Sequence, residues 1–106
     1  MVDTLDQSVG FVVEALNEAR MLENTVVVFF SDNGGMPYGS SASRGYNWPL
    51  RGTKNTLWEG GTRVAAFLWS PLLRKRRRVS QQMIHVTDWL PTLYQAAGEH
   101  CTPSPN

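Results

Sequence analysis

The chain has 106 residues, of which 42% are hydrophobic and 18% charged, and its formal net charge is +1. This composition excludes a disordered chain, and the near-neutral charge gives no reason to expect a nucleic-acid partner. No apolar run is long enough to be a transmembrane segment, and the single cysteine, Cys101, excludes an internal disulfide.

The first predicted element is an amphipathic helix. Apolar residues recur at helical spacing at Leu5, Val9, Val12, Val13, Leu16 and Ala19. Thr4 and Gln7 fit a capping box at the start. We expect this helix to end between Arg20 and Leu22.

The next predicted element is a short strand over residues 25–30, which is β-branched and aromatic and therefore typical of a fully buried strand in an α/β sheet. Asp32 and Asn33 follow it, and two glycines then permit a sharp turn. Carboxylate and amide oxygens suit Ca²⁺ or Mg²⁺. The alternative, which this segment alone favours, is a strand-end turn in which Asp and Asn serve only the turn.

Residues 36–61 form a long predicted loop that is rich in Gly, Ser, Asn, Trp and Arg. Long ordered loops over a rigid sheet are where binding groups collect. Trp48 and Trp58 are placed to enclose a pocket, to which Arg51, Lys54 and Arg63 would bring positive charge. A surface flap anchored by its tryptophans is an equal alternative.

A second strand is predicted over residues 62–70, ended by Pro71, and a second helix follows with Pro91 in its first turn and Gly98 as its stop. Asp88 or Thr87 would cap that helix. The order helix, strand, long loop, strand, helix predicts an α/β fold and half of a doubly wound sheet. The basic run at residues 74–78 is interpreted as a solvated loop rather than a nuclear signal or an anion-binding patch.

Three blocks in this order resemble the sulfatase family of the alkaline phosphatase-like superfamily. The strand-end Asp-Asn pair is the first block, residues 47–64 are the second, and residues 85–93 with Ala97-Gly98 are the third. The amino-acid sequence of the second block is most similar to that of the arylsulfatase B-like group. The resemblance implies that residues 1–98 are the C-terminal part of a sulfatase catalytic domain and that residues 99–106 are an unstructured or divergent tail.

What the resemblance implies about chemistry is the hydrolysis of sulfate esters with a bound divalent cation, Ca²⁺ in this family. Asp32 and Asn33 correspond to metal ligands, and Lys54 corresponds to the catalytic lysine that contacts the substrate sulfate. Arg51 and Arg63 are expected to orient the loop through salt bridges rather than to contact the anion.

Two further polar residues are given structural roles. We expect Glu59 to anchor the loop through backbone N–H groups. His85 is expected to form hydrogen bonds around the helix cap rather than to act as an acid or base.

The chain also departs from the family pattern. Sulfatases make their formylglycine nucleophile from Cys-x-Pro-x-Arg, whereas the sequence from Cys101 has Pro105 where arginine is needed. Formylglycine is therefore expected only in a missing N-terminal part, and Met1 is not followed by a signal peptide, although the family enters the secretory pathway and is lysosomal or extracellular. We expect the isolated chain to be inactive. The alternative is a non-catalytic truncated isoform or pseudoenzyme fragment that binds a partner, while the sulfated substrate and oligomeric state stay open.

A geometric expectation joins these residues. The loop must return over the sheet edge at which the first strand ends, so we expect Asp32, Asn33 and Lys54 to lie on one side of the folded chain. Burial of Trp48 and Trp58 would hold in place the part of the loop between them, which carries Lys54 and is called the Lys54 limb.

Overall fold

A computed structural model of the chain describes residues 2–39, 44–75 and 77–99. The chain divides into two compact units, one within residues 1–76 and the other within residues 77–106. The first unit contains α1 (Val2–Glu18), β1 (Val27–Phe30), α2 (Glu59–Thr62) and β2 (Ala66–Trp69), and the second contains α3 (Trp89–Ala96).

α1 begins earlier than the sequence predicts. Thr4 lies inside the helix, where its carbonyl accepts a hydrogen bond from Ser8 Oγ at 2.8 Å. Gln7 Nε2 donates to Asp3 Oδ2 at 3.0 Å, one helical turn away. The predicted capping box at Thr4 is therefore wrong, because the helical hydrogen bonds already include the residues that precede it.

The end of α1 is defined by a change of backbone hand. Arg20 has a φ of 56°, in the left-handed region. Its N–H donates to the Asn17 carbonyl at 3.0 Å, and the next N–H, of Met21, donates to the Leu16 carbonyl at 2.9 Å. These two bonds are the Schellman pattern that satisfies the last carbonyls of a helix. A short 3₁₀ turn, Leu22–Asn24, then leads towards β1.

β1 and β2 form a two-stranded antiparallel sheet in which Val27 pairs with Trp69 and Phe30 with Ala66. The Phe29 and Phe67 rings stack with centroids 5.4 Å apart. Ser70, which is 1% exposed, donates from Oγ to the Thr25 carbonyl at 2.8 Å and so closes the open end of the pair. This arrangement confirms the α/β class, while the wider doubly wound sheet stays a prediction.

The second strand is shorter than predicted. Residues 59–62 form the helical turn α2 instead of leading into a strand, and β2 begins only at Ala66. The N–H groups of Thr62 and Arg63 donate to the Trp58 and Glu59 carbonyls at 3.2 and 2.8 Å, which closes the turn. Gly60 and Gly61 of this turn are buried against other backbone, where a Cβ would collide with neighbouring carbonyls.

β1 is not the fully buried strand that its composition predicts. Val27, Val28 and Phe29 are half-buried and Phe30 is exposed. Across residues 2–39, 44–75 and 77–99, no apolar side chain is buried. A single two-stranded sheet cannot cover both of its own faces, so the apolar residues of β1 and β2 stay accessible to solvent.

In the second unit, the 3₁₀ turn Val86–Asp88 leads directly into α3. The His85 N–H donates to Asp88 Oδ2 at 2.8 Å, and the His85 imidazole accepts from the Thr87 N–H, which completes a capping box. The expected capping role of His85 is confirmed. Gly98, with a φ of 90°, follows α3 as predicted.

The predicted tail and Cys101 lie outside the described residues, apart from Glu99. The described members of the basic run, residues 74, 75, 77 and 78, are exposed. Within the described ranges, no helix combines the length and the hydropathy that crossing a membrane requires.

Candidate functional site

The polar residues that follow β1 are held by local hydrogen bonds. Asp32 is exposed, and its Oδ1 accepts from the Asn33 N–H at 2.9 Å. Ser31 Oγ donates to the Asn33 carbonyl at 3.0 Å, and Asn33 Nδ2 donates to the Gly34 carbonyl at 2.9 Å. Because the amide nitrogen of Asn33 donates to the backbone, this bond also orients the side-chain oxygen.

Three buried glycines, Gly34, Gly60 and Gly61, join the end of β1 to α2, and we call them the glycine clasp. The Gly34 N–H donates to the Gly61 carbonyl at 2.9 Å, and a Cβ on Gly34 would collide with the Gly60 carbonyl. The Gly60 N–H in turn donates to the Arg51 carbonyl at 2.7 Å. Backbone approaches backbone here at distances that no side chain permits, so these positions require glycine.

A second connection runs through Asn47, half-way along the loop. Its Oδ1 accepts from the Gly35 N–H at 2.7 Å, and its Nδ2 donates to the carbonyls of Gly35 and Gly52 at 2.9 and 3.0 Å. One half-buried amide side chain therefore ties two parts of the loop to the segment after β1. No sequence pattern singles out Asn47, although this residue is the first of the second block of the resemblance.

Lys54 reaches the same segment through its backbone. Its N–H donates to the Gly35 carbonyl at 3.1 Å, two residues after Asn33. Thr53 and Thr56 close the turn around it, since Thr56 Oγ1 accepts from the Thr53 N–H at 3.1 Å and donates to the Thr53 carbonyl at 2.7 Å. The Lys54 side chain is exposed. The backbone of Lys54 is thus beside the strand end, and the approach of its amine to Asp32 stays a prediction.

The tryptophans do not hold this limb in place. Trp48 is 90% exposed and Trp58 is 51% exposed, so their expected burial is wrong. Trp58 instead stacks beneath Arg51, whose guanidinium carbon lies 3.7 Å from the ring centroid. Hydrogen bonds of Asn47 and of the glycine clasp connect the loop to the segment after β1 instead.

The other charged residues of the loop differ in outcome. Arg63 Nη1 pairs with Glu59 Oε2 at 3.0 Å, which confirms a salt bridge for Arg63, while its effect on the orientation of the loop stays a prediction. The Glu59 carboxylate pairs with Arg63, one turn of α2 away, and its expected hydrogen bonds to backbone N–H groups stay a prediction. Arg51, expected in a salt bridge, makes the stacking contact with Trp58.

Comparison with known proteins identifies the family. The family model described as Sulfatase matches residues 1–99. The chain belongs to the sulfatase family. It is 42% identical to Arylsulfatase J of Mus musculus over 97 residues, 37% identical to a Sulfatase of Formosa agariphila over 113 residues, and 34% identical to N-acetylgalactosamine-6-sulfatase of Homo sapiens over 97 residues.

These matches cover nearly all of this sulfatase chain and a small part of each relative. They include 92%, 98% and 92% of the chain, but 16%, 19% and 19% of the three relatives. The chain therefore spans less than a fifth of the length of each of these relatives.

The donor atoms at the end of β1 agree with the divalent cation that the family implies. Asp32 offers a carboxylate, and within the described residues its side-chain hydrogen bond uses Oδ1 only. Asn33 offers an amide oxygen whose direction is fixed by the bond from its Nδ2. Hard oxygen donors of this kind are those that Ca²⁺ prefers, although it takes about six to eight of them. The described part of the chain contains no cluster of three or more His, Cys, Asp or Glu residues that would hold a metal without further ligands.

Proposed function

We propose that this chain is part of a sulfatase catalytic domain that hydrolyses sulfate esters with a bound divalent cation, Ca²⁺. Asp32 and Asn33 act as metal ligands, and Lys54 contacts the sulfate as the catalytic lysine. The observation that supports this assignment is the hydrogen bond from the Lys54 N–H to the Gly35 carbonyl at 3.1 Å. It brings the limb that carries the lysine to the strand end that carries the two ligands.

The chemistry needs positive charge at this place. Cleavage of a sulfate ester builds negative charge on the sulfuryl oxygens and on the leaving oxygen, and the bound cation supplies Lewis acidity there. Lys54 places a compact ammonium against the same oxygens and lowers the energy of the developing charge. Asp32 and Asn33 would hold the cation, and their side chains are oriented for this by hydrogen bonds to nearby backbone groups.

The remaining parts of the proposal concern the longer parent protein. It completes the doubly wound sheet, supplies the formylglycine nucleophile, and enters the secretory pathway to act in lysosomes or outside the cell. The exposed apolar residues of β1 and β2 support this proposal, since strands of a larger sheet bury such residues against neighbouring elements.

A chimeric enzyme tests the proposal. Residues 1–99 replace the matched segment of Arylsulfatase J of Mus musculus, and hydrolysis of a generic aryl sulfate is measured with Ca²⁺ present. We expect turnover by the chimera and a fall of kcat/KM by about 10²–10³-fold for Lys54→Ala, the loss typical of removing one charge-stabilising group.

The matched control is Lys75→Ala, which removes another exposed lysine of the first unit and should leave kcat/KM within about twofold. Full activity of the Lys54→Ala chimera would contradict the role of the lysine. An inactive wild-type chimera that folds would contradict the enzymatic function.

That last outcome would favour the second candidate function, a non-catalytic fragment that binds a partner. The observation behind this candidate is that all four residues of β2 are exposed. Unpaired strand edges are templates for pairing with another chain. Concentration-dependent association of the isolated chain, lost when a proline replaces Leu68, would support it.

A further inference from the structure

We propose that Asn47 is a positioning residue that sets the place of Lys54 relative to Asp32 and Asn33. The inference rests on the proposed function. It assigns to Asn47 no contact with substrate or metal, only control of the limb that carries the lysine.

The Asn47 side chain is hydrogen-bonded to the backbone through both its oxygen and its nitrogen. Asn47 Oδ1 accepts from the Gly35 N–H at 2.7 Å, and Nδ2 donates to the carbonyls of Gly35 and Gly52 at 2.9 and 3.0 Å. An amide NH₂ has two hydrogens, and both are engaged. The two bonds to Gly35 pair the side chain with a backbone peptide as a neighbouring strand would.

Asn47 and Lys54 share one hydrogen-bond acceptor, the Gly35 carbonyl. The Gly35 carbonyl takes hydrogen bonds from Asn47 Nδ2 and from the Lys54 N–H, at 2.9 and 3.1 Å. A carbonyl oxygen has two lone pairs, so these two donors use the capacity of this one. The direction of that carbonyl therefore fixes both the side chain and the lysine backbone.

Asn47 also binds the limb at Gly52. Gly52 lies two residues before Lys54, has a φ of 91°, and is packed so closely that a Cβ there would collide with Trp58 and Thr56. Its carbonyl is thus held in one direction, and Asn47 Nδ2 binds it. Asn47 consequently braces the limb by tying Gly52, two residues before the lysine, to Gly35, whose carbonyl accepts from the Lys54 N–H.

The chain offers a nearly isosteric probe. Asn47→Asp keeps the shape and the oxygen that accepts from Gly35, but it loses both donors and points a carboxylate oxygen at two carbonyls. Asn47→Ala removes all three bonds without adding charge, which separates loss of the brace from the effect of a new anion near the metal ligands. Asn17→Asp and Asn17→Ala, at an exposed position of α1, are the matched controls.

The experiment is a double-mutant cycle in the chimera defined above. Each Asn47 variant is measured in the Lys54 and Lys54→Ala backgrounds, with aryl sulfate hydrolysis and thermal unfolding as readouts. Misplacement of a catalytic group by about 1 Å costs about 10²-fold, so we expect kcat/KM to fall by about 10–100-fold with Lys54 present. With Lys54→Ala we expect the Asn47 variants to lose less than about threefold more, because a lysine that is absent cannot be misplaced.

The outcomes separate this inference from the proposed function. Equal losses in both backgrounds, or activity unchanged by both Asn47 variants, would overturn the positioning role and leave the function of Lys54 intact. A variant that unfolds below the assay temperature is assayed at a lower temperature at which its unfolding curve shows it folded. If wild-type activity returns there, Asn47 only stabilises the fold and the inference is wrong. No effect of Lys54→Ala alone would contradict the proposed function and this inference together.

Discussion

At the scale of single residues, the two proposed metal ligands differ in charge although they are neighbours. Asp32 brings a carboxylate, and Asn33 brings a neutral amide oxygen, oriented by the hydrogen bond that its Nδ2 donates to the Gly34 carbonyl. A divalent cation loses more from the removal of a charged oxygen than of a neutral one. The two substitutions should therefore have unequal effects.

This difference is measurable by calcium titration of the chimera. Losing an outer-shell partner of a metal typically weakens binding about 10–100-fold. We expect Asp32→Ala to weaken Ca²⁺ binding by more than this, and Asn33→Ala to weaken it less than Asp32→Ala does. Asp6→Ala, at an exposed position of α1, is the control and should bind as wild type does. Comparable affinity of wild type, Asp32→Ala and Asn33→Ala would refute the metal site.

At the scale of elements, the glycine clasp decides whether the loop returns to β1. Gly34 and Gly60 meet backbone to backbone, so Gly34→Ala cannot be accommodated without separating the end of β1 from α2. Gly10 lies inside α1, and a Cβ added there would meet no atom within 4 Å, which makes it a matched site for the same substitution.

Opposite effects are expected from these two alanines. Gly10→Ala should stabilise α1 by about 0.5–1 kcal/mol, because alanine is the better helix former. Gly34→Ala should lower the unfolding temperature of the chimera and reduce kcat/KM, since the Lys54 limb would lose its hydrogen bond to Gly35 in the segment after β1. Circular dichroism and aryl sulfate hydrolysis measure the two effects, and an active, equally stable Gly34→Ala chimera would contradict the clasp.

At the scale of the whole chain, the apolar residues of the described ranges are half-buried or exposed. Within the described ranges Ser70 is the buried polar residue, and no apolar side chain is buried. Burial of apolar surface is the main favourable term in folding, so the isolated chain has little to set against its conformational entropy.

The isolated chain should therefore lack sulfatase activity. Its 106 residues contain no Cys-x-Pro-x-Arg sequence from which to make formylglycine, so added Ca²⁺ should restore nothing. We expect millimolar or weaker Ca²⁺ binding, at the weak end for such sites. The assay compares purified chain with its Lys54→Ala variant on an aryl sulfate, and turnover above that variant would show that the chain carries its own nucleophile.

Some of this site was predictable from the sequence because it depends on residue type. The strand before Asp32 follows from a β-branched, aromatic run, and the cap at His85 follows from the side chains within reach of a helix start. The sequence similarity also identified the family, since three blocks in order carry more information than any single motif. Burial could not be predicted, because it depends on which elements cover β1.

The sequence by itself determined the family, the α/β class and the candidate residues Asp32, Asn33 and Lys54. Only the tertiary structure decided how the loop is fastened. The contacts are made by the amide of Asn47 and by three glycines, whereas Trp48 and Trp58 are exposed. The physical reason is that a hydrogen bond between residues 12 positions apart, such as that from Gly35 to Asn47, leaves no periodic trace in a sequence. Close backbone contact, likewise, is visible only when the partner carbonyl is in place.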